Sequence, residues 1–283
     1  MMKMKNTLMG LALAGLGLMA GINTAWAGAT LDRVMARKTV VVVADGSYPP
    51  FSFMNDKNQM DGLDVELAKL VAQRLGVTLR FETPSWEVVT AGNWRGRWDV
   101  CICSMTPDQK RARVLDFVTA YYDSPTVVVT SVGNTELKKA ADINGKRIGV
   151  EQGSSYERYL QRDLEMGIFS SRKVNYPFEK VRIAPYSSED LAYQDLALGA
   201  GKRIDAVVSN MGAARFRMSK VPGKFQIVGE PLYNEENWIV VDKGDAEWKQ
   251  KIQAVFAELK ADGSIDRLTK KWIGVPATSP AAK

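Results

Sequence analysis

The stretch WDVCICSMTPDQKRARVLDF, Trp98 to Phe117, carries more of the reading than any other. Val100 to Cys103 is a short apolar run of the kind that forms a buried strand, and it ends in the small hydroxyl residues Ser104 and Thr106. Backbone N–H groups at such a strand end are free to meet a ligand. Two arginines follow, Arg111 and Arg113, before a second apolar stretch opens at Val114. A guanidinium is a planar fork that matches a carboxylate with two bonds at once. Strand, hydroxyls and arginine read together as a carboxylate clamp; the plainer reading is a solvated helix face carrying two arginines.

Upstream, Thr39 to Ala44 is a β-branched run ending at Asp45-Gly46, a buried strand and its turn. The loop Ser47-Tyr48-Pro49-Pro50-Phe51 is stiffened by two prolines. Residues 64–75 place Val65, Leu67, Ala68, Leu70, Val71 and Leu75 on one helical face, with Gly76 as the stop. Residues 77–81 alternate as a strand, and a helix is expected near 86–93 before the strand 99–103. Downstream the pattern repeats: strand 146–150, a Gly/Ser turn into helix 156–162, strand 181–184, helix 190–199 and strand 204–208 closing on Ser209-Asn210. The tail adds a strand at 238–241, a helix at 248–261 and a short helix at 265–272. This succession predicts α/β layering in two units, and turns at strand ends that open helices place N–H groups at a rim in each. A ligand cleft between lobes needs two such rims.

Composition narrows the chemistry. The chain has no histidine, which removes His-based catalysis and leaves the two cysteines without partners for a metal site. Cys101 and Cys103 lie at i and i+2 of one strand, about 6–7 Å apart in ideal geometry. That is long for a disulfide, so they read as two buried small hydrophobes. The basic residues are scattered rather than blocked, so no nucleic-acid partner is implied. At the N-terminus, Met1-Met2-Lys3-Met4-Lys5, the apolar run Leu8–Ile22 and Ala25-Trp26-Ala27 form an export leader cleaved after Ala27. Its loss lowers the formal charge of +6 by two, through Lys3 and Lys5.

The ordered set Tyr48-Pro49-Pro50-Phe51, Gly62-Leu63-Asp64-Val65-Glu66-Leu67-Ala68, Trp86, Gly96-Arg97-Trp98-Asp99 and Ser104-Met105-Thr106 with Arg111 resembles the family-3 periplasmic solute-binding proteins. These are the polar amino-acid receptors of ABC importers. Asp116-Phe117, Tyr121-Tyr122, Gln152-Gly153-Ser154-Ser155, Asp205-Ala206-Val207-Val208 and Lys271-Trp272-Ile273-Gly274 continue the match in order. The resemblance implies two α/β lobes joined by crossover strands near Tyr121–Pro125 and Tyr233–Asn237. Lobe 1 would comprise 28–122 and 236–283, and lobe 2 would comprise 123–235. It implies a monomer in the periplasm that traps an amino acid or derivative, closes by hinge motion and docks on an inner-membrane permease, with no cofactor and no metal.

Residue by residue, the resemblance assigns Arg111, Thr106 and the Ser104 backbone to the ligand carboxylate, and Ser154 and Ser155 to second-lobe N–H donors. Tyr48 and Trp86 match the aromatic pair around the ligand side chain, and Asp45 sits where receptors for basic amino acids place an acid. Their plainer readings are core aromatics and a turn-capping Asx residue. Arg113 has no counterpart and reads as a surface residue. One position departs: where the family places an acid for the ligand ammonium, this chain has Asn210. Asp45 or Glu151 would compensate, or the ligand lacks a simple ammonium; on this reading Asn210→Asp tightens amino-acid binding, and Arg111→Ala abolishes it with the fold intact. The competing function is an exported enzyme on the same fold, like cyclohexadienyl dehydratase, with Glu151 as its acid or base, although a lone Glu after a strand reads as solvated.

Overall fold

The computed structural model of the chain describes residues 29–169 and 174–275. The expected leader and the terminal Pro276–Lys283 segment lie outside them. The first described element is a helix that periodicity does not announce, α1 (Ala29–Arg37), which buries Val34 alone. Ion pairs hold it: Arg33 and Arg37 both donate to the buried Asp99 carboxylate, which also accepts the Val41 amide at 2.7 Å.

The chain then runs through β1 (Thr39–Val43), the small antiparallel β2 (Ser47–Tyr48), β3 (Ser52–Met54) and β4 (Met60–Asp61), and α2 (Leu63–Leu75). Leu63, Val65, Leu67, Ala68, Val71 and Leu75 are buried on α2, and left-handed Gly76 ends it by donating to the carbonyls of the last turn. Next come β5 (Thr78–Glu82), α3 (Trp86–Thr90), β6 (Val100–Met105) and a 17-residue strand, β7 (Leu115–Ser131). The second unit holds β8 (Arg147–Glu151), α4 (Ser155–Leu160), β9 (Arg182–Tyr186), α5 (Glu189–Leu196), β10 (Ala206–Asn210) and α6 (Met211–Lys220). An 18-residue strand, β11 (Phe225–Asp242), leads back to α7 (Ala246–Ala261) and α8 (Ser264–Ile273).

Eight strands form one sheet in the order β5-β1-β6-β11-β7-β10-β8-β9. The outer strands are parallel within each half, β1 with β5 and β6, and β8 with β9 and β10. The long β7 and β11 are antiparallel to each other and pass through both halves. Each half has apolar clusters on its two faces, around Val40 and Ile102 and around Val41 and Trp94 in the first, and around Ile148 and Val208 and around Val129 and Val207 in the second. The result is a two-lobed α/β fold. The ladder pairs Tyr233 with Thr126 and Asn237 with Tyr122, so the crossovers run side by side.

The cysteine reading needs correction, because Cys101 and Cys103 form a disulfide. Their Cα atoms are 5.3 Å apart, closer than ideal strand geometry allows. The cause is visible in the register: Trp238 and Val240 of β11 face Met105 and Cys101, so four residue steps on β6 oppose two on β11. Ser104, inside this bulge, takes a φ of 53°. A bulge contracts and bends its strand, which brings the two side chains within bonding range.

Candidate functional site

Parallel strands deliver their carboxyl ends to one rim, and both halves of the sheet turn that rim toward each other. Asp45 follows β1, Ser104 and Thr106 end β6, and Ser154 and Ser155 follow β8. With Tyr48, Trp86 and Arg111 they line one cavity, together with Cys103, Glu151 and Tyr156. Eight of the nine residues singled out in the sequence therefore meet. Asn210 is the exception: it is fully buried at the start of α6, its side-chain oxygen accepting the Gly212 amide at 2.8 Å as a helix cap.

Arg111 is buried and Arg113 is exposed, which separates the two arginines. A single 3-10 turn places Arg111, and its guanidinium donates to the Thr106 carbonyl at 2.7 Å and to the Gly153 carbonyl of the opposite lobe at 2.8 Å. Asp108 lies 3.3 Å from its Nε and also binds Arg158. Gly153 takes a φ of 77°, and a Cβ there would stand 3.3 Å from Glu87 Cγ, so the lobes approach closely at this turn. Further bonds cross the cleft: the Tyr48 and Tyr156 hydroxyls are 3.0 Å apart, and Gln152 donates to Glu87 at 2.7 Å.

The expected N–H donors are partly committed elsewhere. The Ser104 amide donates to the Tyr121 hydroxyl at 2.9 Å and its side chain to Asp64 at 2.8 Å. The Ser154 amide donates to the Glu151 carbonyl at 3.2 Å, while its hydroxyl caps α4, accepting the Glu157 amide at 3.1 Å. Asp45 combines both readings offered for it, since one oxygen holds the Ser47 turn while the residue lines the cavity.

Acid chemistry dominates the far side. Glu151 is half-buried in the cavity wall rather than solvated, and its carboxylate has no hydrogen bond or ion pair among the described residues. Burial, then the neighbouring charges of Asp45 and Glu189, push its pKa far above the ordinary carboxyl range. Burial likewise raises Asp45, against the two Ser47 bonds. Asp45, Trp86 and Glu151 also line an adjoining cavity. A cation placed between these two carboxyls would restore their ionised forms.

Glu235 is the residue the sequence reading missed. It lies on β11 between the crossover residues, 2% exposed, and accepts hydrogen bonds from Thr106 at 2.6 Å, Ser155 at 3.1 Å and Tyr156 at 2.6 Å. The available signal was an acidic pair, Glu235-Glu236, inside a stretch otherwise expected to cross between lobes.

Beneath the cavity, Asp64 accepts Tyr121 at 2.6 Å and Ser104 at 2.8 Å and forms no ion pair among the described residues. Burial lifts its pKa from 3.8 to about 7. The folded state thus holds a proton that the unfolded chain has released. Its stabilising effect is full below pH 3.8 and is lost as pH rises through about 7. We predict that urea unfolding midpoints fall across this window, and that Asp64→Asn flattens the fall by up to about 4 kcal/mol. An unchanged slope in the variant would place the pH dependence elsewhere.

Residues 40–275 match the model of the bacterial extracellular solute-binding proteins, family 3. The chain belongs to that family. Within it, the chain is 30% identical over 249 residues to the L-cystine-binding protein TcyJ of Escherichia coli, covering 88% of this chain and 87% of that one. It is 28% identical over 250 residues to the L-arginine-binding protein of Pseudomonas aeruginosa, covering 86% and 91%. Among solved structures, an ancestral arginine-binding protein bound to arginine superposes with a TM-score of 0.73 at 29% identity, covering 84% of this chain and 99% of the other. An ancestral amino acid-binding protein described as a precursor of cyclohexadienyl dehydratase superposes with a TM-score of 0.74 at 26% identity, covering 86% and 99%. The family relationship extends over both lobes and includes every cavity residue named above.

Proposed function

We propose that the chain is the periplasmic receptor of an ABC uptake transporter, capturing an amino acid or amino-acid derivative and delivering it to an inner-membrane permease. The observation that carries this reading is Arg111, a buried guanidinium from one lobe whose Nη2 reaches a carbonyl of the other. A ligand carboxylate presents the same kind of acceptor in charged form, and binds the fork more strongly. Ligand entry would exchange the Gly153 bond for carboxylate bonds and keep the lobes together. Tyr48, Trp86, Asp45 and Glu151 supply flat faces and acids for a polar or cationic side chain.

The lobes would be 28–122 with 236–283, and 123–235, turning about the paired crossovers of β7 and β11. The protein acts as a monomer, exported by cleavage after Ala27. Small-angle scattering with and without L-arginine or L-cystine tests the hinge: a smaller radius of gyration with ligand supports it, and equal radii with bound ligand remove it.

One observation favours an enzyme instead, the unpartnered Glu151 carboxyl in the cavity, which burial holds in the acid form a dehydratase needs. Incubation with prephenate or arogenate decides this: product formation lost in Glu151→Gln establishes the enzyme, and absence of product leaves the receptor.

A further inference from the structure

We propose that Glu235 receives the ligand's α-ammonium, the role that the acid expected at position 210 would have filled. The inference rests on the receptor reading and adds a residue to it.

Three observations converge. First, Glu235 is a deeply buried carboxylate held by the hydroxyls of Thr106, Ser155 and Tyr156, with the neutral Asn210 amide beside it, and it forms no ion pair among the described residues. Its buried counterparts Asp99, Asp108 and Glu189 are each joined to arginine. Asp64 is also held by hydroxyls, but those belong to its own lobe, behind Ser104. The donors on Glu235 come from both lobes, and all three line the cavity. A buried carboxylate without a cation is a costly arrangement that an ammonium relieves.

Second, one residue joins Glu235 to the carboxylate clamp. Thr106 donates its hydroxyl to Glu235 at 2.6 Å and accepts Arg111 on its carbonyl at 2.7 Å. A single residue therefore bonds both the cationic and the anionic group, so the two meet at Thr106 as the carboxylate and ammonium of an α-amino acid meet at its Cα.

Third, the sheet explains why position 210 can be neutral. Asn210 pairs with Thr126, Thr126 with Tyr233, and Ser124 with Glu235. Side chains two residues apart on a strand share a face, so Glu235 lies on the Asn210 face, shifted along it by two residues. The Asn210 amide, its Nδ2 buried, sits beside the Glu235 carboxylate and favours its charged form. An aspartate there would oppose Glu235 with a second buried negative charge. The negative charge has moved from β10 to β11, and Asn210→Asp alone should no longer tighten binding.

Calorimetry of wild type, Glu235→Gln and Glu235→Gln/Asn210→Asp tests this, with thermal unfolding to confirm that each variant is folded. The probes are L-arginine and L-cystine, together with 5-guanidinopentanoate and 3,3′-dithiodipropionate, the same molecules without α-ammonium groups. We expect Glu235→Gln to weaken the bound amino acid by about ten- to a hundredfold. Affinity for its deaminated analogue should stay unchanged, and the double variant should recover part of the loss. Equal amino-acid affinity in wild type and Glu235→Gln overturns the assignment while the receptor reading stands. So does an equal loss for the deaminated analogue, which would mark Glu235 as purely structural. Absence of binding to either amino acid by wild type overturns the receptor reading for these ligands, and this inference with it.

Discussion

Replacing Arg111 with alanine will lower affinity for a carboxylate ligand by about a hundredfold or more. Each charge-assisted hydrogen bond is worth about 1.5–3 kcal/mol, so losing a two-bond fork costs about 3–6 kcal/mol, or roughly a hundred- to ten-thousandfold. The structure adds a stability cost that the sequence reading did not anticipate. Arg111 bridges the lobes through Gly153 and flanks the buried Asp108, which would retain Arg158 and two backbone amides but one cation fewer. Leaving that carboxylate half-compensated should lower stability by about 1–3 kcal/mol. Arg111→Lys keeps the charge but not the fork and should fall between wild type and alanine. Arg113→Ala, at an exposed position, should match wild type in both measurements. Calorimetry and urea denaturation on the four proteins check the set. Full affinity in Arg111→Ala would move the clamp to another residue.

The largest loss of stability is expected at Arg217 on α6. Its guanidinium pairs with the buried Glu189 at 2.7 Å and with Asp190 at 2.7 Å, and contacts the Ser47 and Pro49 carbonyls of the other lobe at 3.4 Å. It also lies 4.7 Å from the centre of the Tyr193 ring. These acids hold its pKa above the usual arginine value despite burial. Arg217→Ala leaves Glu189 buried without its cation, and removing one member of a buried pair costs about 3–5 kcal/mol. Glu189 can escape by binding a proton, so the deficit should shrink as pH falls toward 5. Arg217→Ala/Glu189→Gln removes the stranded charge and should recover much of the loss. Urea midpoints at pH 5 and 7.5 measure both effects. A pH-independent deficit that the second substitution leaves in place would assign the loss to packing instead.

The parts of the fold visible in the sequence are those where burial follows a simple period. The α2 face, the valine run of β1 and the strand–turn–helix junctions after β8 have patterns that one element's own neighbours explain. The two long strands were harder to read because they leave one lobe and enter the other. In β7, Asp123-Ser124-Pro125 interrupts the apolar pattern between two buried stretches, although Pro125 still pairs with Asn234. Helix α1 was missed because it buries one apolar residue and is held by ion pairs to Asp99, sixty-odd positions away in sequence. The disulfide depends on a bulge set by the partner strand β11, which spacing within β6 cannot reveal.

The candidate site divides in the same way. Asp45, Ser104, Thr106, Ser154 and Ser155 stand at strand ends, where a sequence motif and a cavity position coincide. Asn210 also ends a strand, yet its amide serves as a helix cap. Glu235 lies inside a strand with no motif around it. Only the pairing of β7 with β11 shows that it reaches Thr106 from one lobe and Ser155 from the other.

The central claim is that this cavity holds an amino acid by its carboxylate. Titration calorimetry on protein denatured, dialysed and refolded to remove any bound molecule tests it directly, using the standard L-amino acids, L-cystine, and the decarboxylated amine of whichever binds best. We predict one-to-one binding of at least one amino acid with a Kd of about 1 μM or tighter. Its amine should bind at least about a hundredfold more weakly, since it cannot engage Arg111. Binding of no amino acid, or equal affinity for the amine, would contradict the account.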